Sequence, residues 1–471
     1  MPPALHSDAK YQAALAVARR LREAGHQAYF AGGCVRDLLL GAAPKDYDVA
    51  TSASPDQIVA LFPRTLTVGA HFGVVLVCAI AGDAGPSDDQ RIATEVATFR
   101  NDGAYSDGRR PDAVRFSTSA REDVLRRDFT INGMLLDPLA FEPSGDAEAA
   151  TLDYVHGRED LAAGIVRAIG DPVLRFAEDK LRMLRAVRFA ARLNFRIDPV
   201  TAAAIRRHAA NIHQISAERV RDELTRILTE GGARRGFELL FDLGLLAEIL
   251  PEVVRLRGVQ QPPEFHPEGD VWLHTALLLE KLPAGCSATL AWGALLHDIG
   301  KPATFQPPNP AIPGDRIRFN GHVEAGVRIA EVVLGRLRFS NDDAAQIVAL
   351  VKNHMRFGDI LHMRPATLKR FLRLPRFEEH LELHRLDASS AHGDLRLYDF
   401  ARAQFEAEPA PEHRAPPLLT GEDLIAAGYR PSPQFKAMLA LAEDAQLEGV
   451  ATTSDEALAL VRERFPIGVS K

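Results

Sequence analysis

Residues 29–48 read YFAGGCVRDLLLGAAPKDYD, and this stretch restricts the fold more than any other part of the chain. An apolar run from Tyr29 ends at Gly32-Gly33. An amphipathic segment with Arg36 and Asp37 follows, then a turn at Ala42–Pro44, then Asp46 and Asp48. Paired glycines after a strand let the backbone approach a ligand, and a helix beginning there turns free N–H groups toward it. That geometry favours an anion such as a triphosphate. Tyr47 and Val49 predict a second strand, Tyr47–Ala50, in which side chains two residues apart share a face. Asp46 and Asp48 then grip the same hard cations, with magnesium the expected one. Two such cations can activate an attacking hydroxyl and neutralise a leaving pyrophosphate.

Around this stretch, helical spacing covers Ala4–Ala24 and Pro55–Phe62. Strand-like runs fall at Ala28–Ala31, Thr65–Val68, Gly73–Ala79 and Glu95–Phe99. The alternation predicts a small α/β head. Glu95 is either a third metal carboxylate or the strand partner of Arg100. Polar loops are expected at residues 82–90 and 101–114, the second reading NDGAYSDGRRPDAV.

A chain of 471 residues is too long for one core. Its hydrophobic and charged fractions, 46% and 25%, suit a soluble globular protein. The net charge of −7 argues against a general nucleic-acid binder, but the sign reverses locally: residues 157–236 hold 16 Lys/Arg against 10 Asp/Glu. Cys34, Cys78 and Cys286 are widely spaced and odd in number, so no disulfide framework is implied. No signal-peptide core and no bilayer-length apolar run occur, and a cytoplasmic protein is expected.

Downstream, RRDFTIN carries Arg126, Arg127, Asp128 and Asn132. Paired arginines suit phosphate oxygens, and Asp128 and Asn132 suit a ribose or the orientation of the arginines. The segment RFAEDKLRMLRAVRFAAR (175–192) predicts one amphipathic basic helix with Asp179 and Arg182 as i,i+3 neighbours. An acceptor beside a guanidinium donor is complementary to the edges of C and A and mismatched to U and G. Taken alone, it is an ordinary intrahelical ion pair. ISAERVRDELTRILTEG predicts a helix capped by Ser216. Another helix over Gly231–Leu250 breaks at Gly244, and Pro251 ends the helical body.

The order GG, RD, DxD resembles the DNA polymerase β nucleotidyltransferase superfamily. The wording GGCVRDLLLG…KDYDVAT, DGRRP, RRDFTIN and EDKLR resembles its branch of class II tRNA nucleotidyltransferases and bacterial poly(A) polymerases. The resemblance implies an α+β protein: a small mixed-sheet head followed by an all-helical body. It implies Asp46 and Asp48 as catalytic magnesium ligands. Nucleotide contacts would come from Gly32, Gly33, Arg36, Arg127, Asp128 and Asn132. Asp179 and Arg182 would read the base, and Arg185 and Arg188 would hold the triphosphate. It further implies CTP, ATP and the tRNA 3′ end as partners. Gly133 and His71 depart from the family wording without removing a catalytic group.

After a Pro-rich connector at Gly258–Gly269, His274, His297-Asp298, His322, His354 and Asp387 appear on helical segments. Imidazoles with carboxylates are ligands for one or two divalent metals. LLHDIGKP resembles the HD metal-dependent phosphohydrolase domain, which implies a divalent metal at Asp298 and a phosphate contact for Lys301. An acidic, Pro-rich linker is expected at 402–417, then a helical tail. The expected division is head 1–150, body 151–257, HD domain 258–405 and tail 418–471. Template-independent addition of C, C and A to tRNA leads the readings. An A-only or CC-only enzyme is an alternative, as is an HD hydrolase with a degenerate head. A poly(A) polymerase is disfavoured, because VGAHFGVVLV stands where a GRRFxxxHV-like segment belongs.

Overall fold

A computed structural model describes residues 7–67, 73–80, 91–102, 114–408 and 416–467. His71 and the loop at 82–90 lie outside the described residues, as does most of the loop at 101–114. The chain divides into two compact units, 1–254 and 255–471.

The first described helix of the first unit is α1 (Ala9–Glu23), capped by the Asp8 carboxylate, which accepts from the amides of Lys10 and Tyr11; Ala4–His6 of the expected helix lie outside the described residues. Its apolar stripe includes Tyr11, Leu15, Val17 and Leu21, and it packs on a seven-stranded sheet. The strands are β1 (Ala28–Ala31), β2 (Asp48–Thr51), β3 (Thr65–Leu66), β4 (Val74–Ile80), β5 (Arg91–Thr98), β8 (Met134–Leu136) and β9 (Thr151–Asp153). A separate short ribbon pairs β6 (Arg100–Asp102) with β7 (Val114–Phe116).

The main order is β3-β4-β5-β2-β1-β8-β9, with β2 and β5 parallel and the other neighbours antiparallel. Tyr11 meets Phe30, Tyr47 and Phe141 edge-on. Each such aromatic contact contributes about 0.5–1.5 kcal/mol beyond burial. The cluster buries Tyr47, the residue between Asp46 and Asp48.

Between β1 and β2 lies α2 (Gly33–Leu39), and α3 (Pro55–Leu61) follows β2 behind a Ser54–Gln57 capping box. The sheet departs from expectation at its strand ends. β2 begins at Asp48, so Asp46 sits on the approach to the strand and not within it. β5 begins at Arg91, which makes Glu95 a mid-strand residue opposite Leu76. The short α4 (Ala120–Leu125) leads to RRDFTIN.

The body is helical apart from a two-residue parallel pair, Ile165–Val166 with Arg196–Ile197. The single helix expected across 175–192 is two, α5 (Pro172–Glu178) and α6 (Leu181–Arg192). Asp179 breaks it: its backbone is extended, and its carboxylate accepts from the Leu181 amide. Next come α7 (Ala217–Thr229), α8 (Ala233–Asp242), α9 (Leu245–Ile249) and α10 (Pro251–Val254). Gly244 does break the helix. Pro251, however, starts a last turn instead of ending the body, since a missing N–H costs nothing at a first helical position.

The second unit is helical: α11 (Val271–Lys281), α12 (Ala288–Leu296), α13 (His322–Arg336), α14 (Asn341–Asn353), α15 (Pro365–Leu372), α16 (Phe377–Ser390) and α17 (Arg396–Ala407). The expected linker at 402–417 is therefore helical through Ala407, while residues 409–415 lie outside the described set. The tail helices α18 (Gly421–Ala426), α19 (Phe435–Glu448) and α20 (Ser454–Arg464) close around Leu424, Met438 and Val461. Among the described residues no helix is long and apolar enough to cross a membrane.

Candidate active sites

In the first unit, a cavity of about 630 Å³ gathers Gly32, Gly33, Asp46, Asp48, Asp179 and Arg182 into one space. Gly32 has φ 75°, and a Cβ there would stand 3.3 Å from Arg127 Nη1, so a side chain would press on that arginine. Arg127 and Arg126 both donate to Asp123, a buried carboxylate one helical turn earlier.

Arg36 Nη1 donates to Asn132 Oδ1 at 2.7 Å, and its Nε and Nη2 donate to Asp37. Asn132 donates to Asp128 Oδ1 at 3.4 Å, and Arg185 grips Asp128 Oδ2 at 2.8 and 2.6 Å. Burial alone would raise the Asp128 pKa, but Arg185 outweighs it and holds the carboxyl below its ordinary value. Head and body motifs thus form one polar chain from Asp37 to Arg185.

The expected Asp179–Arg182 pair is absent. Arg182 Nη1 donates to Glu178 Oε2 at 2.6 Å, and its Nη2 donates to the Arg126 carbonyl at 3.1 Å. Asp179 instead accepts from Arg219 of α7 at 2.9 Å. Arg188 is buried and pairs with Glu223 and Glu230, at 2.8 and 3.2 Å. Asp123, Arg219, Glu223 and Glu230 were not singled out from sequence. Arg219, Glu223 and Glu230 lie in the ISAERVRDELTRILTEG segment that was. Asp123 had only its i,i+3 and i,i+4 spacing to Arg126 and Arg127.

Asp46 accepts from Lys10 Nζ at 2.7 Å, a largely exposed pair worth little in stability. Asp48 is reachable by solvent, yet protein atoms crowd its carboxylate. That crowding and then Glu95, with Asp46 adding less and Arg127 opposing, push its pKa up to about 6. Asp46, Asp48 and Glu95 line one recess. A concentration of hard oxygen donors that raises its own proton affinity fits a divalent cation such as magnesium.

In the second unit, all six expected ligands converge. Among the described residues, three groups of His, Asp or Glu have their ligand atoms mutually within 4.8 Å. They are His274-His297-Asp387, Asp298-His322-His354 and His266-Glu268-His274. Asp298 lies between the first two. Its Oδ2 is 3.2 Å from His297 Nε2 and 4.0 Å from His274 Nε2, and its Oδ1 is 3.8 Å from His322 Nε2 and 3.7 Å from His354 Nε2. His297, His322 and His354 each bond through Nδ1 to the carbonyl three residues earlier, at 2.9, 2.9 and 2.7 Å. That bond fixes the ring and turns Nε2 inward.

The Nε2 atoms of all four histidines are buried and make no well-aligned hydrogen bond, although Asp387 Oδ1 stands 3.0 Å from that of His274 and Asp298 Oδ2 3.2 Å from that of His297; such crowding of unsatisfied donors costs stability unless something fills the centre. Imidazole and carboxylate donors of this number fit two divalent metals. Burial pushes the His354 pKa down to about 4, leaving a neutral ring suited to a metal. Burial would also lower His274, but Asp387 and Glu268 outweigh it and push it up to about 9. Lys301 is already engaged on one side: its Nζ is 2.7 Å from Asp298 Oδ2 and donates to Gln261 Oε1 at 2.7 Å.

Gly300 is required by close approach, because a Cβ there would strike the His322 carbonyl and the Gly326 amide. Glu268 and His266 were missed because they lie in the connector. Their signal was an H-x-E two residues before the Asp270 helix cap.

Three family descriptions match the chain: "Poly A polymerase head domain" over residues 28–167, "Probable RNA and SrmB- binding site of polymerase A" over 194–256, and "HD domain" over 270–390. The chain is 37% identical over 296 residues to the CCA-adding enzyme of Latilactobacillus sakei subsp. sakei (strain 23K), covering 62% of this chain and 70% of that relative. It is 41% identical over 235 residues to the CCA-adding enzyme of Geobacillus sp. (strain WCH70), covering 50% of this chain and 54% of that one. Against this and three further curated relatives the chain spans about half of their length, 54–56%. Among solved structures, it is similar to the Bacillus stearothermophilus CCA-adding enzyme in complex with CTP. The TM-score is 0.69 and the identity 27%, covering 97% of this chain and 98% of that one.

Proposed function

The chain belongs to the CCA-adding enzyme family, and from that premise we propose that it adds C, C and A from CTP and ATP to the 3′ end of tRNA. The observation that carries this reading is one cavity holding both the carboxylates Asp46 and Asp48 and the base-reading candidates Asp179 and Arg182. The similarity to a CTP-bound relative supports it. The RNA 3′-hydroxyl forms a bond to the α-phosphorus, the bond from that phosphorus to the bridging oxygen breaks, and pyrophosphate leaves as the hydroxyl proton passes to solvent.

Asp46 and Asp48, with Glu95 as a third candidate, would hold magnesium. Bound there, it supplies charge neutralisation for the attacking and leaving oxygens. Arg127, Arg185 and Arg188 form the basic wall along which a triphosphate lies, while Asp128 and Asn132 orient the arginines or meet the ribose and Arg36 holds Asn132 in place. Asp179 accepts from the exocyclic amine of C or A, and Arg182 donates to the neighbouring ring acceptor. Because Arg219 and Glu178 fix these two side chains before any nucleotide arrives, selection needs no nucleic-acid template. Basic body helices hold the tRNA by its phosphates.

We further propose that residues 258–405 form a metal-dependent phosphohydrolase, in which His274, His297, Asp298, His322, His354 and Asp387 would hold divalent metal that activates water and neutralises phosphate charge. The unpartnered Nε2 atoms support it. The division into head 1–150, body 151–257, hydrolase 258–405 and tail 418–471 belongs to the same reading.

The test is incubation with tRNA lacking CCA, lacking only A, or ending in poly(A), with CTP and ATP singly and together. CCA-ended product from the fully truncated tRNA is expected. Extension of the CC-ended tRNA alone, addition of CC alone, or a growing poly(A) tail would each replace this reading with the corresponding narrower or different transferase. No transfer at all would leave only the hydrolase.

A further inference from the structure

Four histidines point Nε2 at the metal pocket, but they are not held alike. Three are braced by the main chain of their own segments, through the carbonyls of Ala294, Phe319 and Val351. His274 lacks that brace. The carbonyl three residues before it, Val271, accepts from the Thr275 hydroxyl at 2.9 Å instead.

His274 Nδ1 meets Glu268 Oε1 at 2.7 Å, and the same oxygen lies 2.9 Å from His266 Nδ1. The two rings stand edge to face with centroids 4.8 Å apart. Glu268 is thus a buried carboxylate shared by a ligand histidine and a second histidine. That second one, His266, lines a cavity of about 730 Å³ together with Lys301, Arg316, Arg318, His322 and Asp387. With Nδ1 committed to Glu268, His266 has Nε2 left for a ligand. Arg316 lies over the Phe265 ring at 5.0 Å, so the cavity wall joins positive charge to an aromatic face. An anionic phosphoester fits such a lining.

We propose that Glu268 is a positioning residue serving two imidazoles at once: it holds His274 with Nε2 toward the metal pocket and presents His266 to the phosphate of a substrate in the adjoining cavity. This rests on the hydrolase reading above. A carboxylate behind a ligand histidine fixes its tautomer and strengthens it as a donor. Here the same carboxylate also sets the ring that meets substrate, so metal binding and substrate binding share one anchor.

The test uses full-length wild type, Glu268→Ala, Glu268→Gln and His266→Ala. Each is stripped of metal, titrated with Mn²⁺ by calorimetry, and assayed on bis(p-nitrophenyl) phosphate. Glu268→Ala is expected to weaken Mn²⁺ binding about 10–100-fold. Glu268→Gln, which keeps the acceptor and loses the charge, should fall between it and wild type. His266→Ala should bind Mn²⁺ as wild type does but raise KM about 10-fold, the loss of one charge-assisted hydrogen bond. Near-UV circular dichroism checks folding, and the isosteric Glu268→Gln decides the matter if Glu268→Ala misfolds.

Wild-type Mn²⁺ affinity in Glu268→Gln and Glu268→Ala, with unchanged KM, overturns the proposal while leaving the hydrolase reading intact. Equal loss of metal in His266→Ala also overturns it, because His266 would then belong to the ligand set. A wild-type protein that takes up no Mn²⁺ at all overturns the hydrolase reading and this proposal with it.

Discussion

The two candidate sites solve opposite electrostatic problems. In the first unit nearly every charge in the cavity already has a protein partner: Arg36 with Asp37, Arg127 with Asp123, Arg185 with Asp128, Arg182 with Glu178, Asp179 with Arg219. In the second unit four imidazole nitrogens converge, buried, on shared carboxylates without a well-aligned hydrogen bond of their own. A site that receives and releases charged nucleotides in every cycle has to stand properly formed when empty, and paired charges keep it so. A site for resident ions can leave its donors unpaired, because the ion repays their desolvation.

Four experiments strain that contrast. The largest effect is expected from Asp48→Asn, which should cut nucleotidyl transfer by about 10³-fold or more. Metal uptake by the histidine cluster should not change. Parallel loss of both would mean that the sites are not independent.

Next is His297→Ala. With metal at about 100 times its Kd, the wild type gains about 2.7 kcal/mol of stability over the metal-free protein. The variant should lose most of that increment in a thermal melt with and without Mn²⁺, while tRNA extension continues. An unchanged increment would remove His297 from the ligand set.

Arg219→Ala is smaller and more selective. Freed from its partner, Asp179 should reorient, and discrimination of CTP and ATP against UTP and GTP should fall about 10-fold, the worth of one charge-assisted hydrogen bond. If kcat/KM fell equally for all four nucleotides, Arg219 would be supporting the fold and not the base edge.

The smallest effect probes whether an unpartnered histidine implies a metal. His380 lies on α16 with Asp387, and its Nε2 is also unpartnered, yet it stands outside the ligand groups. Burial first, with Arg356 adding and Glu379 opposing, pushes its pKa down to about 4. The unfolded chain therefore binds a proton below pH 6.5 that the folded chain refuses, and stability falls as pH falls from 6.5 toward 4. Between pH 6.5 and 5 that loss is about 2 kcal/mol. In His380→Phe, urea unfolding of metal-free protein should show a shallower decline over that range, with Mn²⁺ uptake unchanged. Reduced uptake would place His380 among the ligands.

Although β8 and β9, of three residues each, are too short to show a period, strands β1 to β5 and the six metal-ligand candidates were readable because they rest on local periodicity and on residue types with few bland uses. The α5–α6 break was not. The apolar spacing of Leu181, Leu184 and Val187 continues helical phase, whereas the interruption comes from the Asp179 carboxylate capping the Leu181 amide. Helix ends set by one side-chain acceptor leave little trace in periodicity. Glu268 was passed over for a related reason, since a Pro-rich connector carries no phase from which to infer where its side chains point.

The sequence alone determined which chemical groups this protein owns: carboxylates spaced two apart after a glycine turn, arginines in the segments after them, and imidazoles with acids beyond residue 258. Tertiary structure decided who holds whom. Asp179 belongs to Arg219 from α7, Arg185 belongs to Asp128 from the head, and His274 belongs to Glu268. The first two pairings depend on the packing of elements 40 and 57 residues apart, and the third on how the connector folds back on its helix. Burial lowers the local dielectric and makes each charge seek the nearest opposite one, whatever its position in sequence.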